Sequence, residues 1–224
     1  MAKKIYLSPS DQTSNKYAYG GTTEAIQCRK IADACEVALL RCGFEVKNNQ
    51  TSPMEVRVKE SNDWGADLHV PIHTNAYNKK VAGTRIFCWN KTGEGHKASM
   101  AVYGVLAPFT PGKSENITVN KTLYEIRVPK AASVYIEVDF HDVADVGKWL
   151  IENAEEIGEK IAEGICKHYG VTYIPKPVEK PVEEPKKLYR IQVGSYVNKA
   201  NAEKKLAEVK AAGFADAFIK AETV

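Results

Sequence analysis

Four polar residues stand where an apolar strand ends or a helix begins, and their types suit proton transfer and metal binding. His73 closes the run DLHVPIH and is followed by Thr74, Asn75 and Ala76. Glu137 is embedded in SVYIEVDF, an otherwise apolar stretch. Burying a carboxylate there is costly unless it is paired, bound to a metal or turned toward a cleft. A purely structural carboxylate in a buried strand is unusual. His141 follows four residues later, at the end of the same strand, so the two can face one way. Glu24 opens the first long helical stretch, where the helix dipole favours a carboxylate. His69 shares a strand face with His73, but at about 3.3 Å per residue the two stand roughly 13 Å apart. They cannot share one ion, and His69 reads as structural or as part of a pocket wall. His96 and His168 read as helix-surface residues. Cys28, Cys35 and Cys42 recur every seven residues, which on a helix separates neighbours by about 10 Å. They read as small core residues, and five cysteines without a C-x-x-C pair read as free thiols.

These groups need a scaffold, and the chain alternates strand and helix signals. Residues 4–8 (KIYLS) form a short apolar run, and a helical stretch runs from Thr22-Thr23-Glu24 to about Cys42, closed by Gly43. Residues 44–46 read as a strand, 54–64 as a helix after Pro53, and 67–73 and 83–89 as strands. A helix over 94–106, a strand over 133–140 and a long amphipathic helix over 143–168 complete the body. The pattern predicts an α/β fold, a twisted mostly parallel sheet with helices on both faces. Ligands of such sheets collect at the C-terminal ends of the strands. Residues 174–187 (IPKPVEKPVEEPKK) carry four prolines among charges and read as an extended spacer. They separate a body of residues 1–173 from a tail of 188–224. The tail shows strand signals over 188–193 and 217–220 around a helix over 199–212, a small C-terminal β-α-β module with little core of its own.

The motifs PIHTNA around His73, TTEA around Glu24, LYEIR at 123–127 and YIEVDFHD around Glu137 resemble those of zinc-dependent N-acetylmuramoyl-L-alanine amidases, the catalytic-domain type of autolysins and phage endolysins. The resemblance spans residues 1–170 in order. It implies hydrolysis of the amide joining N-acetylmuramic acid to the L-alanine of the stem peptide in peptidoglycan. Carried over, Glu24 and His73 match zinc ligands and Glu137 matches the catalytic glutamate. Asn75 and Arg127 are candidates for positioning substrate. The family's first strand runs into a Gly-His pair that supplies another ligand, whereas this chain reads LSPSDQ. Asp11 falls at that position, and either Asp11 or His141 would complete the set. The apolar neighbours Tyr135, Ile136 and Val138 are expected to raise the pKa of Glu137 toward neutrality by desolvation. The alternative is a non-catalytic peptidoglycan-binding protein that keeps the fold without a working metal site.

The tail, LYRIQVGSYVNKANAEKKLAEVKAAGFADAFI, resembles the SPOR-type peptidoglycan-binding repeat and implies attachment to glycan strands. It holds one half of the usual unit, which suggests a homodimer paired through two tails. The opening residues MAKKIYLSPSD carry no apolar run of about 7–15 residues, so the expectation is cytoplasmic synthesis without a signal peptide. Action on the wall would then follow release, as for an endolysin. Of the 224 residues 44% are hydrophobic and 26% charged, which fits a folded globular chain. The net charge of +3 is too balanced for nucleic acid as the main partner. Apolar runs are too short for a membrane span.

Overall fold

Side-chain alternation along the central strands gives the sheet one apolar and one polar face. The computed structural model describes residues 2–113, 115–177, 189 and 191–223. Its strands are β1 (Lys4–Pro9), β2 (Glu45–Asn48), β3 (Leu68–Asn75), β4 (Arg85–Cys88), β5 (Ile117–Val119), β6 (Ala132–Ser133) and β7 (Tyr135–Phe140). They form one sheet in the order β2-β1-β3-β7-β4-β5, with β6 beside the start of β3. Every pairing is parallel except that of β4 with β7.

Ile5, Leu7, Val70, Ile72, Ile86, Ile136 and Val138 face the main core. Helices α1 (Glu24–Arg41), α3 (Glu94–Phe109) and α6 (Ala154–Tyr169) contribute its other side. The middle helix of this layer, α6, packs against both α1 and α3. The approach is close enough to require glycine. A Cβ at Gly158 would stand 2.5 Å from the Ile31 carbonyl oxygen, and one at Gly164 would stand 2.5 Å from the Val102 Cα. The opposite face carries Tyr6, Ser8, His69, His73, Tyr135 and Glu137, with Tyr6 beside His69 and His73 beside Glu137 in register. Helices α2 (Met54–Trp64) and α4 (Tyr124–Arg127) cover part of it. Tyr6 donates to Glu60 at 2.7 Å and Ser61 contacts His69 at 3.1 Å. Polar side chains therefore lie under cover, at the strand ends where open α/β sheets bind ligands.

The expected α/β scaffold is present, with local differences. The helix expected over 143–168 is broken into α5 (Ala144–Glu152) and α6. Asn153 leaves helical geometry at φ −114°, and its side-chain amide donates to the Trp149 carbonyl at 2.8 Å. Two short elements, β5 and α4, had no expectation, being too short to show a period, and the strand expected over 133–140 is divided between Ser133 of β6 and β7. The body also extends past 173. Arg41 donates to the Ile174 carbonyl at 2.8 Å, and the Ile174 N–H contacts the Cys42 sulfur at 3.3 Å. The chain divides into two compact units, Met1–Pro177 and Val178–Val224. Of the expected spacer, residues 178–187 lie outside the described residues.

In the second unit the helix forms as α7 (Lys199–Ala211), capped by Asn198, whose side chain accepts from the Ala200 N–H at 2.8 Å. Neither expected flanking strand pairs among the described residues, and Leu188 and Arg190 lie outside them. The helix has no buried residue, and Ile191 and Phe218 are exposed. One short helix offers too little apolar cover to hold two strands in a ladder.

Candidate active site

Glu24 and His73 come from distant parts of the sequence and meet at one end of the sheet. The Glu24 N–H donates to the Asn15 carbonyl at 2.8 Å, which fixes the start of α1 beside the β3 terminus. From there Glu24 Oε1 accepts a hydrogen bond from His73 Nδ1 at 2.8 Å, and Oε2 accepts from the Asn15 side chain at 2.7 Å. Both residues are buried. Burial alone would push the Glu24 carboxyl up, but the bonds from His73, Asn15 and Ser10 hold it below its ordinary range. Burial likewise opposes a charge on His73, yet the carboxylates of Glu24, Glu137 and Glu125 raise its pKa. The His73 ring stacks on Tyr135, with centroids 4.6 Å apart. The Gln12 side-chain nitrogen lies 3.3 Å from the same Nδ1.

Glu137 is the register neighbour of His73 on β7. Its Oε2 is shielded from solvent and has no hydrogen-bond partner. Desolvation raises its carboxyl from an ordinary 4.5 to about 7; Glu24 adds to the rise, while His73 and Arg85 oppose it. The rise toward neutrality is the expected one, but of the three neighbours expected to cause it only Tyr135 shares the face of Glu137, Ile136 and Val138 facing the main core. A carboxyl that titrates near neutrality beside a histidine–carboxylate pair is equipped to take up and return a proton.

The remaining candidates make their contacts with other groups. Asp11 is half-exposed and turned toward Arg57, with Oδ2 3.8 Å from the buried guanidinium. His141 is buried and stacked on Tyr17, and its Nδ1 lies 3.0 Å from the Thr74 carbonyl, which it can only meet as a donor. The same Nδ1 lies 3.0 Å from the Thr74 hydroxyl oxygen, and burial holds the ring's pKa below the ordinary value. Asn75 ends β3 and caps its own strand, its side-chain oxygen accepting from the Ala76 N–H at 2.8 Å. Arg127 is exposed at the end of α4 and lines a cavity of about 290 Å³ with Trp89, His96, Lys130 and Ser133. Ser133 pairs with the start of β3, so this cavity lies toward the opposite end of the strand from His73.

Sequence reasoning passed over a second buried cluster. Glu125 Oε1 accepts from the Ser8 hydroxyl and from His69 Nε2 at 3.2 Å. Ser61 donates to the other ring nitrogen of His69 at 3.1 Å. The buried Arg57 donates to the Pro9 carbonyl and so secures the end of β1. The signal for Glu125 was the one that singled out Glu137: a carboxylate between apolar neighbours, here Tyr124 and Ile126 in LYEIR.

Glu24 and His73 offer a carboxylate oxygen and an imidazole nitrogen converging on one point, a donor pair that zinc accepts. The unpartnered Glu137 oxygen beside them adds to the fit. Among the described residues no third His, Cys, Asp or Glu joins them in a cluster. The pair suits a divalent ion.

Comparison with known proteins gives the family and the fold. No curated protein sequence matches the chain significantly. Among solved structures, the catalytic domain of CwlV, an N-acetylmuramoyl-L-alanine amidase from Bacillus (Paenibacillus) polymyxa, matches with a TM-score of 0.69 at 19% identity, covering 76% of this chain and 99% of that one. An N-acetylmuramoyl-L-alanine amidase of Nostoc punctiforme matches with a TM-score of 0.66 at 16% identity, over 75% of this chain and 97% of that one. The catalytic domain of an endolysin targeting Clostridia difficile gives 0.61 at 21% identity, over 75% and 97%. These likenesses show a shared fold. Residues 185–224 match the SPOR domain family. Residues 5–167 match the N-acetylmuramoyl-L-alanine amidase family, and the chain belongs to it.

Proposed function

We propose that the chain is a zinc-dependent amidase that cuts the bond between N-acetylmuramic acid and L-alanine in peptidoglycan, in an endolysin-like lytic role. The observation that carries this reading is the buried, unpartnered Glu137 oxygen beside the Glu24–His73 pair. Glu24 and His73 would hold the ion, with His141 the third ligand in preference to Asp11. The reason is that Nδ1 of His141 is committed to Thr74, which leaves Nε2 as a donor, whereas Asp11 is turned to Arg57. When bound, the metal would polarise the scissile carbonyl and acidify a water. Glu137, part ionised near neutral pH, takes the proton of the attacking water and passes it to the departing amine. The Tyr135 ring stacks on His73 and helps to hold it in place.

Wall attachment falls to the SPOR domain. On an insoluble polymer, a weak binding unit joined to the catalytic unit raises the local concentration of enzyme. The homodimer expected from a half-length tail would cover Ile191 and Phe218, and sedimentation equilibrium of the full chain tests it. Likeness to an endolysin catalytic domain supports the lytic role. No described helix is long and apolar enough to cross a membrane.

Metal content measured on purified variants tests the assignment. About one zinc per chain is expected for the natural protein and for Glu137→Gln, with hydrolysis in that variant lower by roughly 10²–10⁴-fold. His73→Ala and Glu24→Ala should lose the metal, and His141→Ala should lose more than Asp11→Ala. Zinc retained by His73→Ala, or unchanged turnover in Glu137→Gln, contradicts the reading.

A further inference from the structure

On the far side of the His73 ring from Glu24 lies a carboxylate to which the chemistry above gives no role. Glu125 Oε2 stands 4.0 Å from His73 Nε2, a nitrogen that is buried and has no hydrogen-bond partner. The other oxygen of Glu125 already receives both Ser8 and His69, so Oε2 is the one turned toward His73. The histidine ring thus sits between two carboxylates, one at each nitrogen. Metal-ligating histidines regularly donate their second N–H to a carboxylate, which fixes the tautomer and aims the ring.

We infer that Glu125 is a positioning residue: it accepts the Nε2–H of His73 and so leaves Nδ1 to face the ion beside Glu24. The inference rests on the metal reading of the preceding subsection. Its surroundings prepare Glu125 for the part. Ser8 and His69 both donate to its other oxygen, which fixes the orientation of the carboxylate. The α4 turn is fixed in turn by the Ser133 hydroxyl, which donates to the Glu125 carbonyl at 2.6 Å. A carboxylate serving only as internal support would be satisfied by Ser8 and His69, with no need to aim its second oxygen at His73. The gap exceeds a hydrogen bond by about 1 Å, so the inference requires the two groups to approach when the ion binds.

The test is zinc affinity by competition with a chromogenic chelator, for the natural protein, Glu125→Gln and Ser61→Ala. Ser61 touches His69 but neither Glu125 nor His73, so its variant reports damage to the surrounding cluster alone. Glu125→Gln should bind zinc about 10–100-fold more weakly, with Ser61→Ala unchanged. Equal affinity in Glu125→Gln and the natural protein overturns the inference while leaving the metal reading intact. No zinc uptake by the natural protein removes both. Should Glu125→Gln fail to fold, ¹⁵N NMR of the zinc-loaded natural protein decides. A His73 ring protonated at Nε2 and ligated through Nδ1 supports the inference, and the opposite tautomer overturns it.

Discussion

Replacing Glu137 by Gln should stabilise the metal-free protein, and by an amount that grows with pH. The folded state binds the Glu137 proton more tightly than the unfolded chain does, because the carboxyl is raised from 4.5 to about 7. Stability from this group is therefore fully present below the unfolded value and is lost as pH rises through about 7. At about 1.4 kcal/mol per tenfold change in proton affinity, holding the ionised form in the fold costs about 3 kcal/mol. Glutamine matches the shape of the protonated acid and never ionises. The difference in unfolding free energy between Glu137→Gln and the natural protein should thus widen by about 3 kcal/mol between pH 4 and pH 8. In a chain of this size that is a shift in Tm of about 6–12 °C. Urea or thermal unfolding of both proteins across this range, with chelator present, measures it. A difference that stays constant with pH would refute the desolvated-carboxyl argument.

Three further outcomes follow from the packing and the tail. Gly158→Ala should destabilise the first unit by about 1–3 kcal/mol, because the new methyl meets Ile31 backbone and the Ala34 side chain at the α1–α6 contact; an unchanged unfolding midpoint would contradict that contact. All five cysteines are buried and free, so an aromatic disulfide reagent should titrate none in the native protein and all in denaturant. Rapid labelling without denaturant would show a looser core. Deleting residues 178–224 should spare hydrolysis of soluble muropeptides and cut activity on intact cell walls by roughly 10²-fold or more; equal loss on both substrates would place the second unit in catalysis.

How much of this was legible in the sequence depended on the length of each signal. Helix α2 spans the expected residues because Pro53 starts it and Gly65, at φ 70°, ends it. Glu137 stood out because a lone carboxylate in an apolar strand conflicts with its surroundings, and the structure leaves its Oε2 without a partner. Glu125 carries the same signal but sits on a four-residue helix with no period to reveal burial. Asp11 was aligned by position along the chain, whereas the side chain follows the nearest buried charge, Arg57, which approaches from α2. Gln12, the next residue, is the one that reaches His73, and an amide gives no chemical signal in sequence. Arg127 shares a motif with Glu125, but its side chain lines the cavity beside Trp89 and Ser133 rather than the cluster around His73.

The most direct test of the central claim is product analysis. Purified peptidoglycan is treated with the zinc-loaded full chain, and new amino termini and new reducing sugar ends are counted. The account predicts free α-amino groups of L-alanine, no new reducing ends, and a halt on adding chelator. New reducing ends without free alanine termini would show a glycan-cutting enzyme and contradict it.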